Sequence, residues 1–300
     1  MKHPPFKLFG IFGFPAAHSL SPAMQEAAFA KRKIKAYYLI LDFRPGPFKK
    51  AMRGLKKPGF LLEGFNLTVP YKEAVLKYLD QVTPEARSIG AVNTVLQRGG
   101  KWIGTNTDAH GILASLEKEA GFRPRGKTIL ILGSGGASRA AIYGLAGARA
   151  KKIMIANRHP GRARGLAGEF RKKFPGTFFG AYPLKEKMLE SGLAEADLIV
   201  NATSLGLKAG DPCPLSPALV KRALGKRKVL FFDMIYDPAP TPFLEMARRQ
   251  GHKILGGPGM LLFQGAAAFE CWTGKKAPVA EMRAALHKAL DERRAGVKKL

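Results

Sequence analysis

The sequence predicts an α/β protein whose second half, from Lys127 onward, forms a doubly wound parallel sheet. The run Thr128–Leu132 is continuously apolar, which is typical of a strand buried on both faces of a parallel sheet. Further apolar runs recur with segments of helical length between them: Lys152–Ala156, Leu198–Val200, Val229–Phe232 and Lys253–Leu255. The length of 300 residues adds a third observation, because it favours two domains over one.

The charge balance is strongly basic. Fifty lysines and arginines stand against 22 aspartates and glutamates, which gives a net charge of +28. Such a chain attracts anions, so nucleic acid, membrane surfaces and small phosphorylated or carboxylated ligands are all candidates. The basic residues form short, scattered clusters without a zinc-finger spacing or an RNA-binding aromatic signature. No sequence-specific nucleic-acid partner is therefore expected.

Cysteine usage and hydropathy predict a cytoplasmic protein. Cys213 and Cys271 lack metal-ligand spacing, which fits a reducing compartment and no metal site. No apolar run reaches membrane-spanning length, so no membrane partner is expected. Pro15 and His18 interrupt the N-terminal apolar stretch, which argues against a signal peptide.

The chain begins with a predicted strand, Lys7–Gly13, followed by a helix that runs to about Lys33. Ser21 followed by Pro22 predicts the helix start, with a hydroxyl N-cap and then proline at the first helical position. The hydroxyls of Ser19 and Ser21 would lie beside free backbone N–H groups, which favours a carboxylate or phosphate. The alternative is that Ser21 only caps the helix.

Asn66 and Thr68 lie in a predicted third strand, Gly64–Val69, and point to the same face. Pro70 cannot continue a central ladder, so Lys72 should lie just past the strand end, where a helix (73–80) begins. Ligands of α/β proteins bind outside the carboxyl ends of strands. The alternative is a solvated lysine that opens a surface helix.

A hairpin follows, with strands 91–97 and 102–107 joined by a turn at Gly99 and Gly100. If the turn centres on the two glycines, the numbers of paired residues sum to about 199. Asn93 then lies near Asn106, and Asp108 emerges at the same end of the hairpin. Asn93 and Asp108 are therefore predicted neighbours, although Asp108 is also placed to cap the next helix.

The loop after Thr128–Leu132 matches G-x-G-x-x-S from Gly133 to Ser138 and opens a helix. Glycines in this context permit a tight turn and bring a pyrophosphate to the helix N-terminus. An NAD site places Asp or Glu after the second strand, whereas this chain has Asn157, Arg158 and His159, with Arg162 beyond. Arginine suits a 2′-phosphate, so NADP is the predicted cofactor. The alternative is that these arginines belong to the general basic excess.

The C-terminal part leaves the strand–helix alternation. An almost wholly apolar helix runs from Met260 to Phe269 and is broken only by Gln264. A buried amide needs a partner, so Gln264 is either satisfied within the core or contacts a ligand. A final helix follows Pro278.

Together these motifs resemble the shikimate dehydrogenase family over nearly the whole chain. The resemblance rests on the order and spacing of short motifs: 18–22 (HSLSP), 66–72 (NLTVPYK), 90–94 (GAVNT), 106–108 (NTD), 133–139 (GSGGASR), 157–158 (NR), 201–204 (NATS), 233–236 (DMIY), 259–265 and 269–270 (FE). It implies a substrate domain of residues 1–107 and 262–300, completed by the C-terminal helices, and an NADP-binding Rossmann domain of residues 108–261. It also implies reversible, NADPH-dependent reduction of 3-dehydroshikimate to shikimate, a step of chorismate and aromatic amino acid biosynthesis.

The resemblance assigns roles by matching motif positions. Lys72 and Asp108 would be the catalytic pair, and Ser19 and Ser21 would hold the substrate carboxylate, with Tyr236 nearby. Further substrate contacts would come from Asn66, Thr68, Asn93 and Gln264. The cofactor would be lined by Gly133, Ser134, Gly135, Gly136, Ala137, Asn157, Arg158, His159, Arg162, Thr203, Met234 and Gly257.

Two positions depart from the family pattern. Gln25-Glu26 replaces the usual His-Asn of the first helix, and His159 stands where threonine is common. Two other functions stay open: a quinate/shikimate dehydrogenase on the same scaffold, and a basic, non-catalytic dinucleotide-binding protein. The oligomeric state is open between monomer and homodimer.

Overall fold

A computed structural model of the chain describes residues 6–56, 62–208 and 210–296. The chain divides into two compact units: residues 1–111 with 261–300, and residues 112–260. In the described ranges, no helix is long and apolar enough to cross a membrane.

The first stretch of the chain alternates strands and helices and then forms a hairpin. Its elements are β1 (Lys7–Gly13), α1 (Ser21–Lys31), β2 (Ala36–Asp42), α2 (Phe48–Leu55), β3 (Leu62–Leu67), α3 (Tyr71–Ala74), a 3-10 helix (Val75–Tyr78), β4 (Gln81–Val82), α4 (Pro84–Ile89), β5 (Thr94–Arg98), β6 (Lys101–Thr105) and α5 (Asp108–Ala120).

These strands form a mixed six-stranded sheet in the order β2-β1-β3-β5-β6-β4. Strand β1 pairs in parallel with β2 and β3, whereas β5 runs antiparallel to both β3 and β6. Gly99 and Gly100 have φ of 56° and 75°, the left-handed conformation that a two-residue hairpin turn needs. Thr94 lies opposite Thr105, which confirms the predicted hairpin register.

Two elements in this region have bounds that differ from those predicted. The strand predicted to reach Val69 ends at Leu67, because Thr68–Tyr71 forms a turn in which the Tyr71 N–H donates to Thr68 O. The helix predicted over 73–80 is a short α3 that starts at Tyr71 and passes into the 3-10 helix. Lys72 therefore lies on the first turn of α3, two residues beyond Pro70.

The middle of the chain repeats strand and helix. Its elements are β7 (Thr128–Leu132), α6 (Gly136–Gly147), β8 (Lys152–Asn157), α7 (Pro160–Lys173), β9 (Phe178–Pro183), α8 (Glu186–Glu195), β10 (Leu198–Asn201), α9 (Pro217–Leu224), β11 (Leu230–Asp233), α10 (Pro242–Arg249) and β12 (Lys253–Leu255).

Its six strands are all parallel, in the order β12-β11-β10-β7-β8-β9, which confirms the doubly wound sheet. Residues 129–132 and 153–156 are buried throughout, as expected of strands covered on both faces. Strand β9 was not predicted from the sequence. That strand contains Gly180, ends in Pro183 and is only partly buried, so it lacks a continuous apolar run.

Two helices complete the first unit, α11 (Pro258–Thr273) and α12 (Val279–Arg294). Aromatic residues of α11 pack toward one face of its sheet. Phe9 of β1 contacts Phe29 of α1 and Trp272 of α11, with both pairs of ring centroids 5.0 Å apart. Phe29 in turn contacts Phe269, at 5.6 Å. Helix α12 packs against α1.

Candidate active site

The carboxyl ends of β1 and β3 lie side by side. The Phe14 N–H donates to Val69 O and the Thr68 N–H to Phe12 O, at 2.9 and 2.8 Å. Gly13 permits this approach, because a Cβ there would lie 2.2 Å from Thr68 Cγ2. The loop that carries Ser19 and the turn that carries Thr68 therefore leave the sheet at the same edge.

Lys72 and Asp108 form an ion pair at this end of the first unit. Lys72 Nζ donates to Asp108 Oδ2 at 2.7 Å. The exposed fractions of the two side chains are 14% and 4%. A lysine held this far from water beside a buried carboxylate is not a solvated surface lysine, so that alternative for Lys72 is wrong.

Asn93 lies beside the pair, as the hairpin register predicted. Asn93 Nδ2 donates to Asp108 Oδ1 at 2.8 Å. The Thr107 N–H donates to Asn93 Oδ1 at 2.8 Å, and this unambiguous donor fixes which end of the amide faces the carboxylate. Asp108 thus accepts a bond from Asn93 on one oxygen and from Lys72 on the other.

Gln264 joins this cluster from α11. Its Oε1 accepts from Asn93 Nδ2 at 3.3 Å, and its Nε2 donates to Leu261 O at 2.9 Å. The side chain is 9% exposed. Lys72, Asn93, Asp108 and Gln264, which are scattered in sequence, therefore form one network, hereafter the Lys72 network.

A second layer of polar residues supports Asn93. Asn66 Nδ2 donates to Asn93 O and to Thr94 Oγ1, at 3.1 and 2.9 Å. Tyr38 donates its hydroxyl to Asn66 Oδ1 at 2.7 Å, and Thr94 donates to Asn93 Oδ1 at 2.9 Å. Neither Tyr38 nor Thr94 was predicted from the sequence to be a site residue. The pairing of β3 with β5, which places Asn66 opposite Thr94, would have identified Thr94.

The start of α1 differs from the prediction. Leu20 occupies the N-cap position and makes no side-chain cap bond, while Ser21 is already helical. Ser19 Oγ accepts the Ser21 N–H at 3.2 Å, so the hydroxyl of Ser19, rather than that of Ser21, receives a backbone donor at this helix start. Ser21 is 3% exposed, and Ser19 is partly buried.

The glycine loop of the second unit opens α6 without a side-chain cap. Gly133 has φ of 113°, and a Cβ there would lie 2.8 Å from Ala202 O, so only glycine fits. Gly135, by contrast, is exposed, and a Cβ added there would meet no other atom within 4 Å. Ser134, Gly136 and Ala137 are partly exposed. The uncapped N–H groups of α6 form a suitable cradle for a pyrophosphate.

Arg158 and Arg162 are exposed at the carboxyl end of β8 and the start of α7. In the part of the chain that the structure describes, neither arginine lies in an ion pair with a carboxylate. Asn157 Nδ2 donates to His159 O at 3.2 Å, which fixes the turn between strand and helix. His159 is the N-cap residue of α7, and its side chain makes no cap bond.

Helices α6 and α7 are joined by an ion cluster. Arg139 Nη2 lies 2.6 and 2.7 Å from the two carboxylate oxygens of Glu169, and Lys173 Nζ lies 2.6 Å from one of them. Partial burial alone would raise the pKa of Glu169, but the bonds and charges of Arg139 and Lys173 outweigh it and lower that pKa below its usual value.

The remaining predicted residues lie at the carboxyl ends of β10, β11 and β12. Thr203 follows β10, Met234 follows β11, and the Gly257 N–H donates to Ile235 O at 3.2 Å. A Cβ on Gly257 would lie 2.5 Å from Met234 O, so this approach also requires glycine. Tyr236 lies two residues beyond Met234, in the unit of residues 112–260.

Three family models match the chain. The shikimate dehydrogenase substrate binding domain matches residues 11–95, the shikimate/quinate 5-dehydrogenase model matches residues 115–235, and the shikimate 5′-dehydrogenase C-terminal domain matches residues 257–287. The order of the three matches follows the division of the chain into two units.

Similar proteins cover the chain almost completely. A shikimate dehydrogenase (NADP(+)) of Moorella thermoacetica is 44% identical over 285 residues, 94% of this chain and 93% of the relative. The crystal structure of the Thermus thermophilus shikimate 5-dehydrogenase with NADP(H) and shikimate has a TM-score of 0.81, at 38% identity, over 95% of this chain and all of the other. A quinate dehydrogenase from Corynebacterium glutamicum in complex with NAD also has a TM-score of 0.81, at 28% identity, over 94% of this chain and 99% of the other.

Identity of this level over almost the full length of the relatives agrees with the motifs at the strand ends and with the strand order within each sheet. The chain belongs to the shikimate dehydrogenase family.

Proposed function

We propose that this chain is an NADP-dependent shikimate dehydrogenase that interconverts shikimate and 3-dehydroshikimate, a step of chorismate and aromatic amino acid biosynthesis. The observation that carries the proposal is the buried Lys72–Asp108 pair, 2.7 Å apart, with Asn93 on the second carboxylate oxygen. Residues 1–107 and 262–300 form the substrate domain and residues 108–261 the NADP-binding domain, with Asp108 at the boundary acting on the substrate together with Lys72.

The Lys72 network handles the proton of the reacting hydroxyl. NADP, when bound, accepts the hydride of the alcohol carbon. Lys72 Nζ and Asp108 hydrogen-bond the reacting oxygen and its neighbouring hydroxyl, and the pair takes up the hydroxyl proton during oxidation and returns it during reduction. A protonated Lys72 also stabilises negative charge that develops on this oxygen. The bond from Asn93 keeps the Asp108 carboxylate oriented toward Lys72.

A further set of residues orients the substrate. Ser19 and Ser21 bind the carboxylate at the start of α1, where backbone N–H groups favour an anion, and Tyr236 contributes a hydroxyl. Asn66, Thr68, Asn93 and Gln264 bind the ring hydroxyls. The bonds of Asn66 to Tyr38, Asn93 and Thr94 support a further role in holding Asn93 in place.

The cofactor site uses the uncapped start of α6 for the pyrophosphate and Arg158 for the 2′-phosphate. The pyrophosphate subsite is lined by Gly133, Ser134, Gly135, Gly136 and Ala137. The 2′-phosphate subsite is surrounded by Asn157, His159 and Arg162. The rest of the cofactor is lined by Thr203, Met234 and Gly257. Arg158 and Arg162 are exposed and pair with no carboxylate among the described residues, and such guanidinium groups suit a dianionic phosphate better than a neutral ribose. NADP is therefore preferred over NAD.

The cellular setting follows from the chemistry. Cys213 and Cys271 are free thiols, which supports a reducing cytoplasm. The protein works as a monomer or a homodimer on small-molecule substrates, without a specific nucleic-acid or membrane partner.

Absorbance at 340 nm tests the proposal. The wild-type protein is offered shikimate and then quinate, each with NADP and with NAD, and Lys72→Ala serves as the background control. We expect the highest kcat/KM with shikimate and NADP. Higher efficiency with quinate would favour a quinate dehydrogenase, the activity in the name of the Corynebacterium glutamicum protein. Absence of turnover with all four combinations would favour a non-catalytic binding protein.

A further inference from the structure

A buried carboxylate, Asp233, lies at the carboxyl end of β11 and is fully shielded from solvent. It accepts hydrogen bonds from Thr241 Oγ1 at 2.6 Å, from the Ile235 N–H at 3.0 Å, and from Asn201 Nδ2 at 3.1 Å to each oxygen. Thr241 Oγ1 also accepts the Leu244 N–H, which leaves its own proton for Asp233. All of these partners are neutral donors, a pattern that suits the acceptor-only carboxylate.

The first segment that Asp233 holds is the turn after β10. Asn201, whose amide it orients, accepts the Thr203 N–H at 3.1 Å and the Thr203 hydroxyl at 2.7 Å. Asn201 Nδ2 also donates to Leu205 O at 3.1 Å, and Thr203 Oγ1 accepts the Leu205 N–H at 3.1 Å. The position of Thr203 is therefore set by Asn201, and that of the Asn201 amide by Asp233.

The second segment is the turn after β11. Asp233 Oδ1 accepts the Ile235 N–H, and Ile235 O accepts the Gly257 N–H at 3.2 Å. The Met234 N–H donates to Asn201 O at 3.1 Å. One carboxylate thus connects Thr203, Met234 and Gly257, which leave three different strands.

These residues belong to one half of the sheet. In a doubly wound fold, two mononucleotide-binding halves lie on either side of the switch point, which here is between β7 and β10. Arg158 follows β8, so the β7-β8-β9 half takes the adenosine 2′-phosphate, and the β10-β11-β12 half takes the nicotinamide nucleotide.

We propose that Asp233 is the positioning residue of the nicotinamide half: it acts through Asn201 on Thr203 and through Ile235 on Met234 and Gly257. The inference rests on the NADP-dependent function proposed above. Burying a carboxylate is costly, and its burial raises the pKa of Asp233 above the usual value, an effect that the three donors oppose without cancelling. An uncharged isostere cannot replace it, because the amide of asparagine would turn a donor toward donors.

The test compares two ligands on the same variants. NADP occupies both halves of the site, whereas adenosine 2′,5′-bisphosphate occupies only the adenosine half. We expect Asp233→Asn to raise the Kd of NADP by about tenfold or more and to change the Kd of the bisphosphate by less than about twofold, as measured by calorimetry. A general loss of structure would weaken the binding of both ligands by similar factors.

Matched variants keep the result interpretable. Asp197→Asn alters a carboxylate at the opposite end of the same sheet, where Asp197 Oδ2 accepts the Thr128 N–H at 2.9 Å, and should leave both affinities unchanged. Thr241→Val removes the 2.6 Å bond to Asp233, whereas Thr241→Ser retains a hydroxyl. We expect the valine variant to show the NADP-selective loss and the serine variant to recover wild-type binding, a comparison that decides the matter if Asp233→Asn does not fold.

Equal losses for the two ligands, or no loss for either, would overturn the positioning role. A wild-type protein that binds neither NADP nor the bisphosphate would overturn the proposed function itself, and the inference with it. Wild-type binding of both ligands with unchanged affinities in the Asp233 and Thr241 variants would overturn the inference alone.

Discussion

At the scale of residues, two lysine–aspartate ion pairs of the first unit differ in burial, and this difference distinguishes a candidate catalytic pair from a surface pair. Lys72–Asp108 and Lys56–Asp80 have nearly equal distances, 2.7 and 2.8 Å. The side chains of the first pair are 14% and 4% exposed, and those of the second 35% and 38%. Water screens the charges of the second pair, whereas the buried first pair interacts more strongly with a bound molecule.

Replacing either member of the buried pair should therefore abolish most of the turnover. We expect Lys72→Ala and Asp108→Ala each to lower kcat by about two to four decades, the scale of a general acid–base group. Lys56→Ala is the matched control and should keep wild-type kcat. Initial rates at saturating shikimate and NADP measure the effect, and near wild-type turnover in both variants would refute the catalytic assignment.

Arg158 should decide the choice of cofactor. Its bonds to a 2′-phosphate are worth roughly 1.5–3 kcal/mol each, which corresponds to about one to two decades in affinity. Arg158→Ala should therefore raise KM for NADP by that factor and leave KM for NAD nearly unchanged. Arg164→Ala, which removes another exposed arginine of α7, is the control. Equal efficiency of the wild type with the two cofactors would sink the assignment.

At the scale of elements, the start of α1 combines a helix terminus with two hydroxyls. A carboxylate held there is bound alike in the ground state and the transition state, so its loss affects binding more than chemistry. We expect Ser19→Ala and Ser21→Ala to raise KM for shikimate while kcat changes little. Ser216→Ala, which removes the N-cap hydroxyl of α9, is the control. If the double variant at 19 and 21 retained wild-type KM, the two serines would have only a structural role.

The cluster that joins α6 and α7 makes stability depend on pH. The folded-state pKa of Glu169 lies below its unfolded value of about 4.3, so its contribution is present above that pH and is lost as pH falls through the folded value. Glu169→Gln should lower the free energy of unfolding at pH 7 by roughly 0.2–1 kcal/mol, the range for solvent-screened pairs.

Thermal melts of the wild type and the variant from pH 7 down to acid pH measure this difference, which should vanish at the acid end. Glu190→Gln breaks the more exposed pair of Glu190 with Arg222 and should have a smaller effect at pH 7. A gap between wild type and Glu169→Gln that stayed constant with pH would contradict the mechanism.

Some strand pairings could be predicted from the sequence and others could not. The register of β5 and β6 follows from the two glycines between them, so the proximity of Asn93 and Asp108 could be predicted from local chemistry alone. Five of the six parallel strands of the second unit were predicted from their apolar runs, whereas β9, which contains Gly180 and Pro183, was not. The pairing of β3 with β5 joins residues distant in sequence, and neither periodicity nor turn chemistry indicates it. The contact of Thr94 with Asn66 was missed for this reason. The contact of Tyr38 was missed because it depends on the order β2-β1-β3, which is equally non-local.

At the scale of the whole molecule, the net charge of +28 should produce adsorption to polyanions. Binding through dispersed charge releases counterions and carries no sequence preference. We expect weak binding to two labelled duplexes of unrelated sequence, with affinities within about twofold of each other and lost between about 50 and 200 mM salt. Fluorescence polarisation measures both. A complex that survives high salt and discriminates between the duplexes would instead indicate a dedicated nucleic-acid function.

The discontinuity of the first unit affects the order in which the protein is made. A ribosome releases Phe9 and Phe29 long before Trp272 and Phe269, the rings that cover them. Until residues 261–300 are synthesised, the sheet of this unit exposes an aromatic face to the cell. Residues 112–260 contain every strand of their own sheet and can fold as they emerge. The unit whose synthesis begins second is therefore the first whose residues have all been synthesised.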